Sequence, residues 1–416
     1  MLLSQFPRSY RRFVSLPLLG PIADGLDDWL ATRGYTRGSR QNSILRLPYV
    51  DAELRRRGVK QLADLTLSVL RDSWRSLRKA YPFSTRTVRA LERYLIANSL
   101  IANVQPATAI SSASILIGEY ADHLCAVRGL AASTVSLHRY TAHCFLQHLD
   151  NKEVALKNLQ PAHIESYITE ASRRLCRRSL QTDISALRGF LRFLAIDDRV
   201  PTDLSGQIDT PRLYRLEQLP RALPWETVRT LLRSIDRTSA KGLRDYAMFL
   251  LIATYGLRTS EVVAITLDDL RWRQRHLQIH QRKTSSPLEL PLTNEVMCAL
   301  VKHLKRTPPS PPYRKIFLRT RAPIGALKPI AVTDAFESWA RNSGLSIPFH
   351  GPHCLRHSLA VHLLKKGTPL KTIGDILGHR SVESTSTYLR LATEDLRGVS
   401  LLVPGTKRHA KGDGNE

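Results

Sequence analysis

GPHCLRHSLAVHLLKKGTPLKTIGDILGHRSVESTSTYLRL, residues 351–391, reads as two helices, the turns that end them, and a late tyrosine. Pro352 suits a first helical turn, where its fixed φ is already helical and its missing N–H would have had no partner. The apolar spacing that follows predicts a helix over residues 354–366, and helical geometry puts His353 and Arg356 on one face of it. An imidazole and a guanidinium then point the same way. Residues 370–377 have the apolar face of a second helix, which Gly378 can end by taking a positive φ, leaving His379 just past the terminus. Tyr388 follows nine residues on and is the only tyrosine after Tyr313. Taken singly, Tyr388 is a half-buried packing residue, and His357 and His362 are partly buried polar residues of a helix. The pairing of His353 with Arg356 is what singles the region out.

Working outward, residues 253–270 read ATYGLRTSEVVAITLDDL. Gly256 can end one helix and Thr259 or Ser260 can cap the next, which leaves Arg258 in the junction beside exposed backbone N–H groups. That corner suits an anion, although a single arginine in such a turn is more often an ordinary surface residue. Between this junction and residue 351, the runs 276–282 and 288–292 are strand-like and flank a polar tip at 283–287. They predict a β-hairpin that carries Lys283. Further helices are expected at 226–235, 244–255 and 331–343, and Glu261 is placed either to orient Arg258 or to cap its own helix.

Residues 201–224 contain Pro201, Pro211, Pro220 and Pro224 among polar residues, a composition that interrupts helices and suits a connector. Upstream of it, Leu116, Tyr120, Leu124 and Val127, then Leu137, Tyr140, Phe145 and Leu149, have helical spacing. A stretch beginning at Leu26 also lies over one beginning at Tyr120, at an offset of about 95 residues, so that Arg33-Gly34-Tyr35 falls on Arg128-Gly129-Leu130. In both, a helix is expected to end at the glycine and a second to start at Ser39, or at Ser133 and Thr134, as N-cap. Either two related helical modules or two amphipathic helix pairs of similar pattern would produce this. The first hundred residues hold 18 Lys and Arg against 8 Asp and Glu.

The whole chain of 416 residues is as one-sided: 62 Lys and Arg against 36 Asp and Glu, a net charge of +26. Such an excess attracts polyanions, so nucleic acid is the leading partner, ahead of a ribosome-associated or merely basic soluble protein. The five cysteines are an odd number with no CxxC pair or zinc-like spacing, which excludes a disulfide scaffold and suits a reducing cytosol. The most apolar stretch, residues 246–257, is shorter than a bilayer span, and MLLSQFPRSYRRF at the start has no signal-peptide core. No membrane and no export are expected, and the location is read as cytoplasmic, bacterial and nucleoid-associated.

Together the motifs resemble the signature of the tyrosine recombinase (phage integrase) family: arginine in a GLRxSE context, lysine at a hairpin, HxxR, LGH, and a tyrosine nine residues beyond that histidine. The family's catalytic positions fall on Arg258, Lys283, His353, Arg356, His379 and Tyr388. Lys283 is preferred to Arg282 by counting back from Leu290-Pro291-Leu292, and the tip KTSSP departs from the Gly-rich turn of many relatives. The resemblance implies a mainly α fold: helical DNA-binding N-terminal modules and an α-rich catalytic domain with a small antiparallel β-sheet. It divides the chain into an extra helical module at 1–108, a helical core-binding (SAM-like) domain at 109–205, a linker at 206–224, a catalytic domain at 225–400 and a disordered tail at 401–416. It further implies cleavage and rejoining of double-stranded DNA through a 3′-phosphotyrosine at Tyr388, with no metal, ATP or other cofactor. A homotetramer or hetero-assembly on two DNA sites would do the work, of the kind that mobile elements use for transposition. Two alternatives stay open. A type IB topoisomerase has a similar Arg, Lys, Arg, His, Tyr set and reseals one duplex; a DNA-binding architectural protein could keep the fold without catalysis.

Overall fold

A computed structural model describes residues 2–101, 112–212, 220–280, 287–309, 313–378 and 382–391. The expected disordered tail at 401–416 lies outside them, as does part of the expected linker, residues 213–219. The chain divides into two compact units: Met1–Ser15, Gly20–Leu45 and Gln218–Glu416 form one, and Leu16–Leu19 with Arg46–Glu217 form the other.

Four helices open the chain, α1 (Leu2–Gln5), α2 (Tyr10–Val14), α3 (Ala23–Thr32) and α4 (Arg37–Leu45), all in the first unit. The second unit holds α5 (Leu47–Arg56), α6 (Leu67–Ala80), α7 (Thr85–Ala97), α8 (Ser112–Ala126), α9 (Ala132–Asn151), α10 (Pro161–Arg174) and α11 (Arg177–Ile196). Its main core gathers the apolar stripes of α8 to α11, including the fully buried Tyr120, Phe145, Leu187 and Phe190. One polar group is built into that core. The Asp183 carboxylate accepts from Thr141 Oγ1 at 2.6 Å and from the Tyr167 hydroxyl at 3.0 Å, tying α9, α10 and α11 together.

The suspected repeat survives as a pattern of helix, left-handed glycine, helix: α3, Gly34 (φ 78°), α4 and α8, Gly129 (φ 57°), α9. The expected caps do not. Thr36, not Ser39, caps α4, its Oγ1 accepting from Ser39 N at 3.3 Å, and Ala131 occupies the N-cap of α9 with Ser133 and Thr134 already inside the helix. A hydroxyl earlier than Ser39 met the first free N–H groups. The second helices also differ, since α9 runs 20 residues whereas α4 stops at Leu45, three residues before Pro48.

The remaining elements belong to the first unit: α12 (Trp225–Ser234), α13 (Ala240–Tyr255), α14 (Thr259–Val262), α15 (Asn294–Arg306), α16 (Pro329–Asn342), α17 (His353–Lys365), α18 (Leu370–Leu377) and α19 (Val382–Ser386), then a 3-10 turn Thr387–Leu391. The most apolar stretch of the sequence is the middle of α13. Every residue from Arg244 to Ala253 is buried, as expected for a helix packed on all sides. The two charges buried there answer each other: Arg244 donates to Asp245 Oδ1 at 2.9 and 2.7 Å, and Trp339 Nε1 on α16 donates to Asp245 Oδ2 at 2.9 Å. Among the described residues no helix is long and apolar enough to cross a membrane.

Three antiparallel strands, β1 (Leu270–Arg271), β2 (His276–His280) and β3 (Pro287–Pro291), make the small sheet in the order β1-β2-β3. Leu277 pairs with Leu290 and Ile279 with Leu288, which puts alternate apolar side chains on the core face. The Tyr255 hydroxyl at the end of α13 donates to Pro291 O at 2.6 Å and accepts from Thr293 N at 3.1 Å, so the last strand is anchored to the central helix. The predicted hairpin is present, with strands ending at His280 and starting at Pro287; its tip, residues 281–286 with Lys283, lies outside the described residues. Fold class is thus as the sequence led us to expect: mainly helical, with one small antiparallel sheet.

Candidate active site

Gly256 ends α13 in the left-handed conformation, φ 66°, and its N–H donates to Ile252 O at 2.9 Å. The positive φ favours glycine, and a Cβ at this position would also press on Leu377 Cδ2, so the Leu377 side chain would have to shift. The tight turn delivers Arg258 to the N-cap position of α14, which corrects the expectation that Thr259 or Ser260 would hold it. The cap is supplied from three residues on. Glu261 accepts from Arg258 N at 2.8 Å through one oxygen and from Arg258 Nη1 at 2.8 Å through the other. The two roles weighed for Glu261 are therefore performed at once, by a carboxylate only 3% exposed.

Arg356 lies on the inner face of α17 and is 3% exposed. Its Nη1 donates to Gly256 O and its Nη2 to Leu377 O at 2.6 Å. These carbonyls terminate α13 and α18, where the helix dipole is negative, so a cation is favoured there. Arg258 Nη2 reaches the same helix end through Gly378 O at 3.4 Å, and Gly378 closes α18 at φ 60°. Burial, then the nearby Arg258 charge, lowers the Arg356 guanidinium to about 10, which leaves it protonated at neutral pH.

Tyr388 stands in the final 3-10 turn, 3% exposed and packed with Leu359, Ala360, Ile373 and Leu377. Burial raises its pKa above the ordinary phenol value, while the positive charges of Arg356 and then Arg258 pull it down. The nucleophile candidate and both arginines thus share one electrostatic environment within a single chain. The Tyr388 hydroxyl is 2.9 Å from His357 Nδ1, with ring centroids 5.6 Å apart. His353, the first residue of α17, is exposed and meets His357 edge to face at 4.8 Å.

Of the six residues singled out in the sequence, Arg258, His353, Arg356 and Tyr388 are brought to this corner; Lys283 and His379 lie outside the described residues. His357 was passed over as an ordinary helical histidine. Its position one turn after His353 was the available signal, since residues four apart share a helix face. Chemically, the corner offers two fixed guanidinium groups for a phosphate and a phenol beside an imidazole. Among the described residues there is no cluster of three or more His, Cys, Asp or Glu side chains that could hold a metal ion.

Comparison with known proteins bears on the family and the fold. Residues 221–395 match the phage integrase family, and residues 117–196 match the phage integrase N-terminal SAM-like domain. The Sinorhizobium fredii protein y4rA, provisionally named an integrase/recombinase, is 30% identical over 402 residues, covering 94% of this chain and 97% of the relative. The tyrosine recombinase XerD of Listeria monocytogenes is 30% identical over 290 residues, covering 68% of this chain and 96% of its own length. Among solved structures, the XerH site-specific recombinase in a post-cleavage complex with its palindromic difH substrate aligns with TM-score 0.54 at 18% identity, covering 72% of this chain and 89% of that one. A lambda integrase dimer bound to a COC′ core site aligns with TM-score 0.52 at 19% identity, covering 78% and 91%. At such low identity these two structures speak for the fold.

Proposed function

This chain belongs to the phage integrase family of tyrosine recombinases, and on that premise we propose that it cleaves and rejoins double-stranded DNA through a 3′-phosphotyrosine at Tyr388. The observation that carries the reading is that Arg258, from the turn after α13, and Arg356, from α17, both bond the carbonyls that end α18, at Gly378 and Leu377, where Leu377 packs with Tyr388. Attack on a phosphodiester builds negative charge on the non-bridging oxygens, and guanidinium groups held in place beforehand stabilise it. Glu261 and the helix-end carbonyls hold them. Because one chain supplies all three groups, cleavage in cis is the form this geometry favours.

Tyr388 Oη forms a bond to phosphorus as the bond from phosphorus to the 5′-oxygen breaks. The phenol proton passes to the histidine pair of α17, His353 and His357, and Lys283 protonates the departing 5′-oxygen. His379 adds a third donor to the phosphate. The phosphotyrosine ester keeps the energy of the broken bond, so a 5′-hydroxyl from a second strand reverses the step without ATP, and the cations are the protein's own. The net charge of +26 favours DNA as the partner. Two DNA sites held by four protomers would let strands be exchanged, and the basic first hundred residues would add a DNA contact of their own.

The test is a nicked suicide duplex, cut from DNA flanking the protein's own gene, incubated under EDTA with the natural protein and with Tyr388→Phe. A denaturant-stable adduct is expected with the first and not the second. Joining of two separate duplexes distinguishes recombination from topoisomerase-like resealing of one. Tight binding with no adduct on any such duplex would favour a non-catalytic DNA-binding role.

A further inference from the structure

The phenol of Tyr388 is 3% exposed, so bulk water has little access to take its proton. A group inside the site has to accept it, and hydrogen-bond reach decides which group qualifies. Nδ1 of His357 is 2.9 Å from the hydroxyl. We propose that His357 is the catalytic base of the cleavage step: it fixes the direction of the Tyr388 hydroxyl and takes its proton as Oη bonds to phosphorus. The inference rests on the proposed strand-cleavage activity and deepens it by narrowing the histidine pair of α17 to one proton acceptor.

Three features of the surroundings fit the role. In the Nε2–H tautomer, the phenol donates to Nδ1, which is the direction proton transfer needs. His353 faces the same ring edge to face at 4.8 Å, so it supports His357 from the exposed side of α17. The seat of the tyrosine is apolar, formed by Leu359, Ala360, Ile373 and Leu377, and a seat of this kind holds the ring while the hydroxyl meets the histidine. Among the described residues, the charged and titratable groups that bear on the pair include His353 and Arg356 from α17, Arg258 from the turn after α13, and Glu261 from α14 through Arg356. During cleavage the proton moves from Oη to Nδ1 and the electron pair of the breaking bond leaves on the 5′-oxygen. In rejoining, His357 returns the proton to Tyr388 as the 5′-hydroxyl attacks and gives its own proton back to the group that had protonated the 5′-oxygen, so the step balances in both directions.

The experiment isolates activation of the nucleophile. A duplex with sulfur in place of the bridging 5′-oxygen needs no proton on its leaving group, so its single-turnover cleavage rate does not depend on Lys283. His357→Asn keeps an acceptor near the position of Nδ1 but removes a base that works near neutrality. The variant is expected to bind the duplex as the natural protein does and to cleave it about a hundredfold more slowly near pH 7, with the deficit narrowing as pH rises. His357→Gln, compared at the same measured affinity and melting temperature, is expected to show the same pH-dependent loss, which guards against a folding defect in one variant. Cleavage within about threefold of the natural protein with an unchanged pH profile would overturn the proposal; so would a loss of the same size at every pH, which would leave His357 as a positioning residue only. If instead the natural protein forms no Tyr388-dependent adduct, it is the underlying activity that has failed.

Discussion

Arg356 uses two of its donors on Gly256 O and Leu377 O before any phosphate arrives, so its plane and direction are set by two helix ends. A lysine has neither the fork nor the reach to hold both carbonyls and face a phosphate. Arg356→Lys is therefore expected to lower the single-turnover cleavage rate by about a hundredfold or more while DNA affinity changes little, measured on the suicide duplex. Gly256 carries the complementary constraint. Gly256→Ala meets both the positive φ, about 1 to 2 kcal/mol by itself, and an overlap with Leu377. The variant should lose more than that in urea unfolding and should cleave poorly, because Arg258 follows two residues later. Arg258, His353 and Arg356 drew attention because each lies in or beside a turn or helix start that the sequence marks with Gly256 or Pro352, whereas Tyr388 drew it by its spacing from His379. His357 was not legible, because its function depends on Tyr388, which is 31 residues away along the chain and joins it only through packing.

At the scale of elements, helix ends marked by glycine were read well and those marked by side-chain caps were not. Gly256 and Gly378 terminate α13 and α18 where the sequence placed them, since a left-handed residue at a helix end admits few alternatives. Ser39, Thr259 and Ser260 looked like caps, yet Thr36 in α4 and Glu261 in α14 satisfied the free N–H groups, while Ser133 and Thr134 fall inside α9, whose N-cap is Ala131. Cap identity depends on which acceptor reaches first, and several hydroxyls in one turn leave that undecided. The docking of α15 makes a separate prediction. His303 on that helix is buried, stacks on Phe317 at 5.4 Å and shares Nε2 with Ile316 O at 3.2 Å. Burial holds its pKa below the ordinary histidine value. With the folded value lower than the unfolded one, the stability this residue contributes is complete above about pH 6.5 and is lost as pH falls below it. Urea midpoints measured near pH 7.5 and near pH 5 should drop more for the natural protein than for His303→Gln. Equal drops would remove His303 as a source of acid sensitivity.

For the whole molecule, the excess of 62 basic over 36 acidic residues is distributed along the chain rather than confined to the catalytic region. Binding carried by phosphate contacts releases counterions, so affinity should fall by about a thousandfold or more between roughly 50 and 200 mM salt. A shallow salt dependence would mean that the charge has another purpose. The one-sided composition is legible from sequence; how the two compact units share the DNA contacts is not, because that depends on which side chains face a duplex. Covalent strand chemistry at Tyr388 is the central claim for this molecule, and the identity of the linked residue tests it most directly. The adduct from the suicide duplex would be digested with protease and nuclease and the nucleotide-bearing peptide sequenced by mass spectrometry. We expect the nucleotide on Tyr388. A nucleotide on Ser384, Ser386 or any other side chain would contradict it.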